Sequence, residues 1–335
     1  MIELDVPVVL APMAGGPSTP ALAAAVSEAG GLGLLATGYR SAAQAAGDLR
    51  EARARTRRPL GLGVFVPQPA PQPSVAGEVE TYARRVAPEA ARLGAALGEP
   101  RHDDDDWEAK VELAVRERPA VVLFAFGLPG PGVLRRLRDA RVASWVTVNH
   151  PDEARAAQAA GADVLVVQGA EAGGHRGGSA DDGEELGLLA LLRLVRRAVD
   201  LPLVAAGAIA DRDGVAAALR AGATAAQAGT AFLRCPEAGT TPAHREAVAS
   251  ARPTALTRAF SGRRARGIVN RFLLEHDAHA PAAYPEVHHL TAPLRAAARA
   301  AGAGDAFNLW AGQAHALARE APAAAVVADL TPSGR

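Results

Sequence analysis

The sequence predicts an α/β protein built as a (β/α)₈ barrel, a TIM barrel, with a small helical subdomain inserted after the eighth strand. Eight short apolar runs alternate with amphipathic stretches rich in Ala and Arg, and small or polar residues follow the runs. Unbroken apolar runs indicate strands buried on both faces of a parallel sheet. An open doubly wound sheet shares this pattern, but the number of runs and the residues at their ends favour a closed barrel.

The predicted strands and helices alternate through residue 233. The strands are expected at Val6–Met13, Leu32–Thr37, Leu60–Val66, Ala120–Phe126, Ala143–Val148, Ala162–Gln168, Leu203–Ile209 and Ala225–Leu233. The helices between them are expected at Thr19–Ala29, Ser41–Thr56, Trp107–Arg118, Pro151–Ala160, Leu186–Val199 and Arg212–Ala221. Because strands that alternate with helices are typical of βαβ units, we assign residues 1–234 to the barrel.

Two segments interrupt this alternation. Pro67–Pro73 reads PQPAPQP, which cannot be helical and is either a stiff surface loop or a lid over the barrel mouth. Residues 235–290 have irregular Arg, His and Pro spacing, so we expect an inserted subdomain on the substrate side. In residues 291–325, the helices Thr291–Ala301 and Ala306–Glu320 are expected to pack back on the barrel, with Pro293 near the first helix start.

Composition excludes several classes of partner. The formal net charge is +0 and no basic stripe is present, which argues against nucleic acid. The single cysteine, Cys235, excludes an intrachain disulfide and a cysteine-based zinc site, and suits a reducing cytosol. The N-terminus does not resemble a signal peptide, and no apolar run is long enough to span a membrane. We therefore expect a cytoplasmic protein without membrane, nucleic-acid or metal partners.

Several polar features have structural interpretations. The acidic run Asp103–Asp106 precedes a helix and is expected to cap it. His150 either lies at the barrel mouth or caps the helix that starts at Pro151. His288 and His289 are adjacent, so their side chains diverge and a shared metal ion is not expected.

The residues that suggest chemistry follow the strands, at the end where a barrel carries its active site. Ala11, Pro12 and Met13 end the first apolar run, and with the small residues after them they would let a planar ligand approach the backbone. After the sixth strand, Gln168 offers a donor and an acceptor, Gly173 and Gly174 expose backbone N–H groups, and His175 can exchange a proton near neutral pH. An exposed loop histidine is the alternative, but the surrounding glycines favour function.

Two further turns predict a phosphate site. In barrels the loops after the seventh and eighth strands commonly bind phosphate through backbone N–H groups. The residues expected to do so are Gly207, Ala208, Gln227, Ala228, Gly229 and Thr230. The sequence therefore predicts a phosphate-bearing cofactor at the same mouth as His175.

Together these motifs resemble the nitronate monooxygenase family, formerly called 2-nitropropane dioxygenases. The matching stretches are APMAGG, QGAEAGGHRG, AAGAIAD, QAGTAFL, RGIVNRF, YPEVHHLTAPLR and NLWAGQ, which together span nearly the whole chain. The resemblance implies a metal-free, FMN-bound barrel that oxidises alkyl nitronates with O₂ to a carbonyl compound and nitrite. It implies that His175 is the catalytic histidine, that Gln168, Gly173 and Gly174 contact the flavin, that Ala11–Met13 lie along its ring system, and that the residues of the two phosphate turns hold its ribityl phosphate.

The chain departs from the family pattern at three places. Ala208 stands where the family usually has a second glycine, Gly63 stands where many members have asparagine, and the segment after Ala311 lacks the usual Gly and aromatic pair. These departures concern substrate identity more than flavin binding. Use of neutral nitroalkanes and a homodimeric assembly are further expectations to test. The alternatives are an FMN-dependent NAD(P)H:quinone or enoyl-thioester reductase, a non-catalytic FMN-binding barrel, and a flavin-free barrel.

Overall fold

The computed structural model describes residues 4–69, 73–181 and 184–332. Its strands are β1 (Val8–Leu10), β2 (Gly33–Ala36), β3 (Leu60–Phe65), β4 (Val121–Ala125), β5 (Ala143–Val148), β6 (Val164–Gln168), β7 (Gly174–His175), β8 (Leu203–Ala206), β9 (Ala225–Ala228), β10 (Thr254–Thr257) and β11 (Ala265–Ile268). Its α-helices are α1 (Pro20–Glu28), α2 (Ala42–Arg55), α3 (Pro73–Arg92), α4 (Trp107–Glu117), α5 (Pro131–Asp139), α6 (Pro151–Ala160), α7 (Leu188–Ala198), α8 (Arg212–Arg220), α9 (Pro242–Ala249), α10 (Arg271–His276), α11 (Glu286–Ala300) and α12 (Ala323–Leu330).

Eight parallel strands form the barrel, in the order β1-β9-β8-β6-β5-β4-β3-β2. A parallel bridge between Val9 and Leu32 joins β1 to β2 and closes the sheet. The buried side chains of the strands are mostly Val, Leu and Ala, as their unbroken apolar runs require. The prediction of a TIM barrel is confirmed, and each of the eight predicted strands is present.

Outside residues 235–290, the described chain contains three helices that the sequence did not predict. In the outer ring, α5 follows β4, and α12 packs against α1 and α8. The third, α3, follows β3 but packs outside the ring, against α11 and the inserted segment. The predicted helix Ala306–Glu320 is wrong, because only a 3₁₀ turn at His315–Leu317 forms there and the chain runs irregularly across the barrel mouth. Pro293 lies inside α11, which begins at Glu286 rather than at the predicted Thr291.

The segment between β9 and α12 contains a strand pair as well as helices. Strands β10 and β11 pair antiparallel, and β11 also pairs antiparallel with the two-residue strand β7 in the loop after β6. This small sheet attaches the inserted segment directly to the loop that carries His175. The domain boundaries at 234 and 290 remain predictions. Of the proposed lid, residues 70–72 lie outside the described residues and Pro73 starts α3.

Candidate active site

A single cavity at the carboxyl ends of the barrel strands brings together the predicted site residues. It is lined by Ala11, Pro12, Met13, Gln168, Gly173, Gly174, His175, Gly207, Ala208, Gln227, Ala228, Gly229 and Thr230. Every candidate from the sequence therefore reaches the same space. The roles assigned to these residues remain predictions, but their convergence is what a common ligand requires.

His175 stands where the barrel meets the inserted segment. Its Nε2 lies 2.8 Å from Ser261 Oγ, a buried hydroxyl in the connection between β10 and β11. The rings of Phe126 and Trp310 each lie 5.5 Å from the imidazole, centroid to centroid. The imidazole borders the cavity on one side and is enclosed by protein on the others. It is thus held in a fixed orientation rather than in a mobile loop.

Burial keeps the His175 imidazole neutral. Burial lowers the pKa of His175 to about 3, and the nearby positive charges of Arg263 and Arg295 act in the same direction. Moving an imidazolium into a poorly solvated site is unfavourable, and two neighbouring cations add to that cost. At neutral pH the ring therefore has one protonated and one unprotonated nitrogen, and it can accept a proton only at the latter.

Most of the hydrogen-bonding groups of the Gln168 amide are already paired with protein groups around the loop that carries His175. Its Oε1 accepts from Asn149 Nδ2 at 2.9 Å and from the Gly177 N–H at 2.8 Å, and its Nε2 donates to the His175 carbonyl at 3.0 Å. One N–H remains for a ligand. The amide therefore fixes the backbone of the His175 loop. Asn149 was missed by the sequence analysis, although it follows β5 directly and precedes the flagged His150.

One wall of the cavity is made of small residues with free backbone donors. Within the described chain, no group accepts a hydrogen bond from the N–H of Ala208, Gly229 or Thr230. Thr230 Oγ1 accepts from the Gly312 N–H at 3.0 Å, so its own proton is free to donate. Oriented N–H groups beside a hydroxyl are the donor set that a phosphate group needs.

A buried, unpaired acceptor lies on β9, the strand that leads into Gly229 and Thr230. Gln227 lines the cavity, and its Oε1 is buried without a hydrogen-bond partner among the described residues. Because an unsatisfied buried carbonyl costs free energy, a ligand donor is expected to pair with it. The N–H of a flavin pyrimidine ring is such a donor. The residues present therefore fit a flavin mononucleotide.

The departure at Gly63 has a steric explanation. A Cβ atom placed on Gly63 would lie 2.5 Å from Pro12 Cγ, so the turn after β1 occupies the space that a side chain would need. The departure at Ala208 concerns backbone conformation instead. Ala208 has φ 52°, a left-handed conformation that glycine adopts without strain.

Aromatic and cationic side chains form the remaining side of the site. Tyr39 stacks on His288 with ring centroids 3.8 Å apart, and its hydroxyl lies 3.4 Å from that of Tyr284. Arg295 donates to His288 Nδ1 at 3.2 Å, and Arg299 donates to Asn308 Oδ1 at 2.6 Å. No site role was assigned to these residues from the sequence, because they come from distant segments, although most of them lie in the matching stretches YPEVHHLTAPLR and NLWAGQ.

Two polar features noted in the sequence, His150 and the acidic run, have structural roles. His150 is exposed and its Nδ1 accepts from the Asp152 N–H at 3.2 Å, so it caps α6 and does not line the cavity. Asp106 is the N-cap residue of α4, where the acidic cap was predicted, but its side chain makes no hydrogen bond to that helix. It accepts from the Ala42 N–H at 2.7 Å instead, and Asp105 accepts from the Tyr39 N–H at 2.8 Å. The acidic run thus anchors the loop between β2 and α2.

The rings of the adjacent histidines are in edge-to-face contact, with centroids 5.3 Å apart, so their side chains do not diverge as predicted, although they have different partners. His288 is buried beside Tyr39, whereas His289 Nε2 lies 2.6 Å from Asp103 Oδ2. Among the described residues, one group, Glu89, Glu275 and His276, has metal-ligand spacing. The Arg271 guanidinium lies 2.7 Å from Glu89 and 2.6 Å from Glu275, so this group is an ion-pair network outside the cavity.

Comparison with known proteins agrees over the whole chain. A family model described as "Nitronate monooxygenase" matches residues 1–333. A nitronate monooxygenase of Paraburkholderia phytofirmans is 42% identical over 98% of this chain and 92% of its own length. A crystal structure of nitroalkane oxidase from Streptomyces ansochromogenes superposes with a TM-score of 0.95 at 50% identity, covering 98% of this chain and 95% of that one. FabK from Thermotoga maritima superposes with a TM-score of 0.76 at 26% identity, covering 98% and 92%. No described helix is long and apolar enough to cross a membrane.

Proposed function

The chain belongs to the nitronate monooxygenase family, and we propose that it binds FMN and oxidises alkyl nitronates with O₂ to a carbonyl compound and nitrite. The observation that carries this proposal is the cavity in which a neutral, rigidly held His175 shares one space with the free donors of the phosphate turns and the unpaired Gln227 acceptor. The family is flavin-dependent, and FMN is the flavin whose single phosphate matches two adjacent turns.

Each wall of the cavity has a part in holding the cofactor. Ala208, Gly229 and Thr230 would bind the phosphate through N–H groups and a hydroxyl, and Gln227 would accept from the ring system. Met13 lines the same space beside Gly229. When bound, a flavin supplies the electron acceptor for the nitronate. The chain itself supplies the site, its polarity and its shape.

The charge around His175 suits an anionic substrate. Arg263 and Arg295 are buried, and no carboxylate of the described chain forms an ion pair with either. His175 and the cavity beside it therefore lie near buried positive charge, which stabilises a nitronate or a carboxylate more than a neutral molecule. Phe65, Phe126 and Trp310 line the cavity and limit water, which strengthens these interactions.

The relatives support this substrate class. The similar proteins include ones named for nitronate and for nitroalkane oxidation, at 42% and 50% identity over nearly the full chain. The cavity residues described above lie within that shared length. O₂ as the second substrate, the cytosol as the compartment and a homodimer as the assembly belong to the same proposal.

An absorbance spectrum of purified protein, followed by anaerobic titration, tests the function. We expect a flavin spectrum, release of FMN rather than FAD on denaturation, and bleaching by propionate 3-nitronate with nitrite formed once air is admitted. NADH under the same anaerobic conditions is the control. Rapid bleaching by NADH but not by nitronate would establish the reductase alternative, and protein that stays colourless after incubation with FMN would contradict the whole proposal.

A further inference from the structure

Ser261 is a residue outside the barrel that touches the candidate catalytic histidine. It lies in the connection between β10 and β11, where its side chain is fully enclosed. Its Oγ is 2.8 Å from His175 Nε2 and 3.2 Å from the carbonyl oxygen of Arg263. The hydroxyl therefore stands between one ring nitrogen and one backbone acceptor.

The direction in which the Ser261 hydroxyl donates its hydrogen bond determines which nitrogen of His175 is protonated. A serine hydroxyl donates one hydrogen bond and accepts others. The Arg263 carbonyl can only accept, and within the described residues no other group donates to it. If Ser261 donates to this carbonyl, its lone pair accepts from Nε2–H of His175, and all three groups are satisfied. The opposite arrangement leaves a buried carbonyl without a donor, which is costly.

The other nitrogen of the ring is then a free lone pair. No described residue forms a hydrogen bond with Nδ1 of His175, and the imidazole borders the cavity. Phe126 and Trp310 contact the ring and restrict its rotation. A flip that exchanged the two nitrogens would break the bond to Ser261.

We propose that Ser261 is a positioning residue that holds His175 in its Nε2–H tautomer, so that Nδ1 accepts the α-proton of a neutral nitroalkane. This inference rests on the proposed function for its substrate, but its statement about the tautomer stands without it. It extends the substrate range from preformed nitronates to their conjugate acids, the nitroalkanes.

The proton transfer balances without another reactant. The α-C–H bond of the nitroalkane breaks, a bond forms between that proton and Nδ1, and the electron pair left on carbon becomes the C=N bond of the nitronate. The nitro group takes the negative charge, and the imidazole becomes imidazolium. No oxidant is needed in this step.

The two buried cations affect both products of the transfer. Arg263 and Arg295 disfavour the imidazolium, and the same charges stabilise the nitronate. Because an uncharged pair becomes an ion pair, these opposing effects largely offset each other. The imidazolium and the nitronate also attract each other, which favours proton transfer from the substrate over protonation of His175 from solvent.

The tautomer of His175 can be determined by ¹⁵N NMR of the histidine-labelled holoenzyme near pH 7.5. The protonated and unprotonated ring nitrogens differ in chemical shift and in their coupling to the carbon-bound ring protons. His175→Asn removes one set of signals and so assigns it. We expect Nε2 protonated and Nδ1 unprotonated in the wild type. An Nδ1–H tautomer would overturn the proposal.

Kinetics with a paired substrate test the role of the tautomer. In Ser261→Ala we expect kcat/KM for a neutral nitroalkane to fall by about 10- to 100-fold, less than the roughly 10²- to 10⁴-fold that a positioned base contributes, because His175 itself remains. We expect kcat/KM for the preformed nitronate to change by less than about threefold. The NMR signals of His175 should show a mixture of tautomers. Ser261→Thr, which keeps the hydroxyl, should restore most of the nitroalkane activity.

The matched control is Thr257→Val, which removes another buried hydroxyl of the same strand pair. Thr257 Oγ1 donates to Asp277 and does not contact His175, so both substrate activities should fall together, if at all. An equal fall of both activities in Ser261→Ala would make Ser261 merely structural. A wild type that turns over neither substrate would end the proposed function, while the NMR result would still decide the tautomer. If Ser261→Ala does not fold, the wild-type spectrum decides alone.

Discussion

The two walls of the cavity are built in different ways. The wall contributed by the barrel consists of small residues whose backbone N–H groups face the cavity, such as those at Ala208 and Gly229. The second wall, here called the inserted wall, comes from residues 235–325, which follow the barrel strands. It contains large side chains, including Trp310 and Arg299, and the guanidinium of Arg295 is buried in the same part of the chain. In the proposed function, the barrel wall would bind the cofactor through the main chain, and the other wall would act on the substrate through side chains.

The charges of the inserted wall explain why the two differ. Arg263, Arg295 and Arg299 have no carboxylate partner among the described residues, so their charge is available to an anion. Burial lowers the pKa of Arg295 to about 10, yet it stays protonated at neutral pH. The barrel wall thus fits a phosphate by shape and hydrogen bonds, whereas the inserted wall provides the potential for the substrate. The following variants test this division.

Gly173→Ala should have the largest effect, because Gly173 lies where the two walls meet. A Cβ atom there would lie 2.4 Å from the Gly312 N and 2.5 Å from the carbonyl carbon of Ala311, both of which are backbone atoms. The two walls would have to separate, at a cost of about 1–3 kcal/mol. We expect FMN affinity to fall at least about tenfold and the melting temperature to drop.

Isothermal titration of deflavinated protein with FMN and thermal unfolding measure these effects. The control is Gly77→Ala in α3, where an added Cβ meets nothing within 4 Å and both measurements should stay near the wild type. Wild-type FMN affinity in Gly173→Ala would show that the inserted wall does not help to close the flavin site.

The same division marks what the sequence could predict. The barrel strands and the turns at Gly207 and Gly229 follow from local patterns, because apolar runs and glycine-rich ends report burial and backbone geometry within a few residues. The contact between His175 and Ser261 joins positions 86 residues apart in the chain. No periodicity or motif encodes such a contact, so the inserted wall could not be built from the sequence.

The predicted helix that does not form also failed because of contacts between residues distant in the sequence. The Ala-rich stretch from Ala306 to Glu320 has helical composition, but Phe307 and Leu309 are instead buried against the inserted segment. Long-range packing overrode local propensity there. His150 is the opposite case. Its role as the cap of α6 could be inferred locally, from the helix that begins at the next residue, Pro151.

A smaller effect is expected from His244, which belongs to the inserted wall. Its Nε2 lies 3.1 Å from the Trp310 carbonyl oxygen and donates to it in the neutral form. Burial lowers the pKa of His244 to about 4, although the bond to Trp310 opposes this shift. Between pH 6.5 and 4 the unfolded chain therefore binds a proton that the folded chain does not, and stability falls as the pH is lowered.

His244→Gln should reduce this pH dependence. Glutamine keeps a donor for Trp310 but does not titrate, so the loss of unfolding free energy over that range should be shallower by about 1 kcal/mol per pH unit. Urea unfolding at a series of pH values measures it, with the exposed His279→Gln as the control. Parallel profiles for the wild type and His244→Gln would mean that the folded protein accommodates the charge.

The smallest effect concerns Ala208 in the barrel wall. At φ 52° its methyl group adds strain that glycine would remove, while glycine costs more entropy in the unfolded chain. The relief of strain outweighs the entropy cost, so Ala208→Gly should stabilise the protein by up to about 1 kcal/mol. Ala210→Gly in the same loop, where φ is negative, should destabilise it by about 0.5–1 kcal/mol. Denaturant midpoints measure the stability of both variants.

Because Ala208 would contribute a backbone N–H to the phosphate site, FMN affinity should be retained or improved in Ala208→Gly. A large loss of affinity would mean that the methyl group, not the main chain, contacts the ligand.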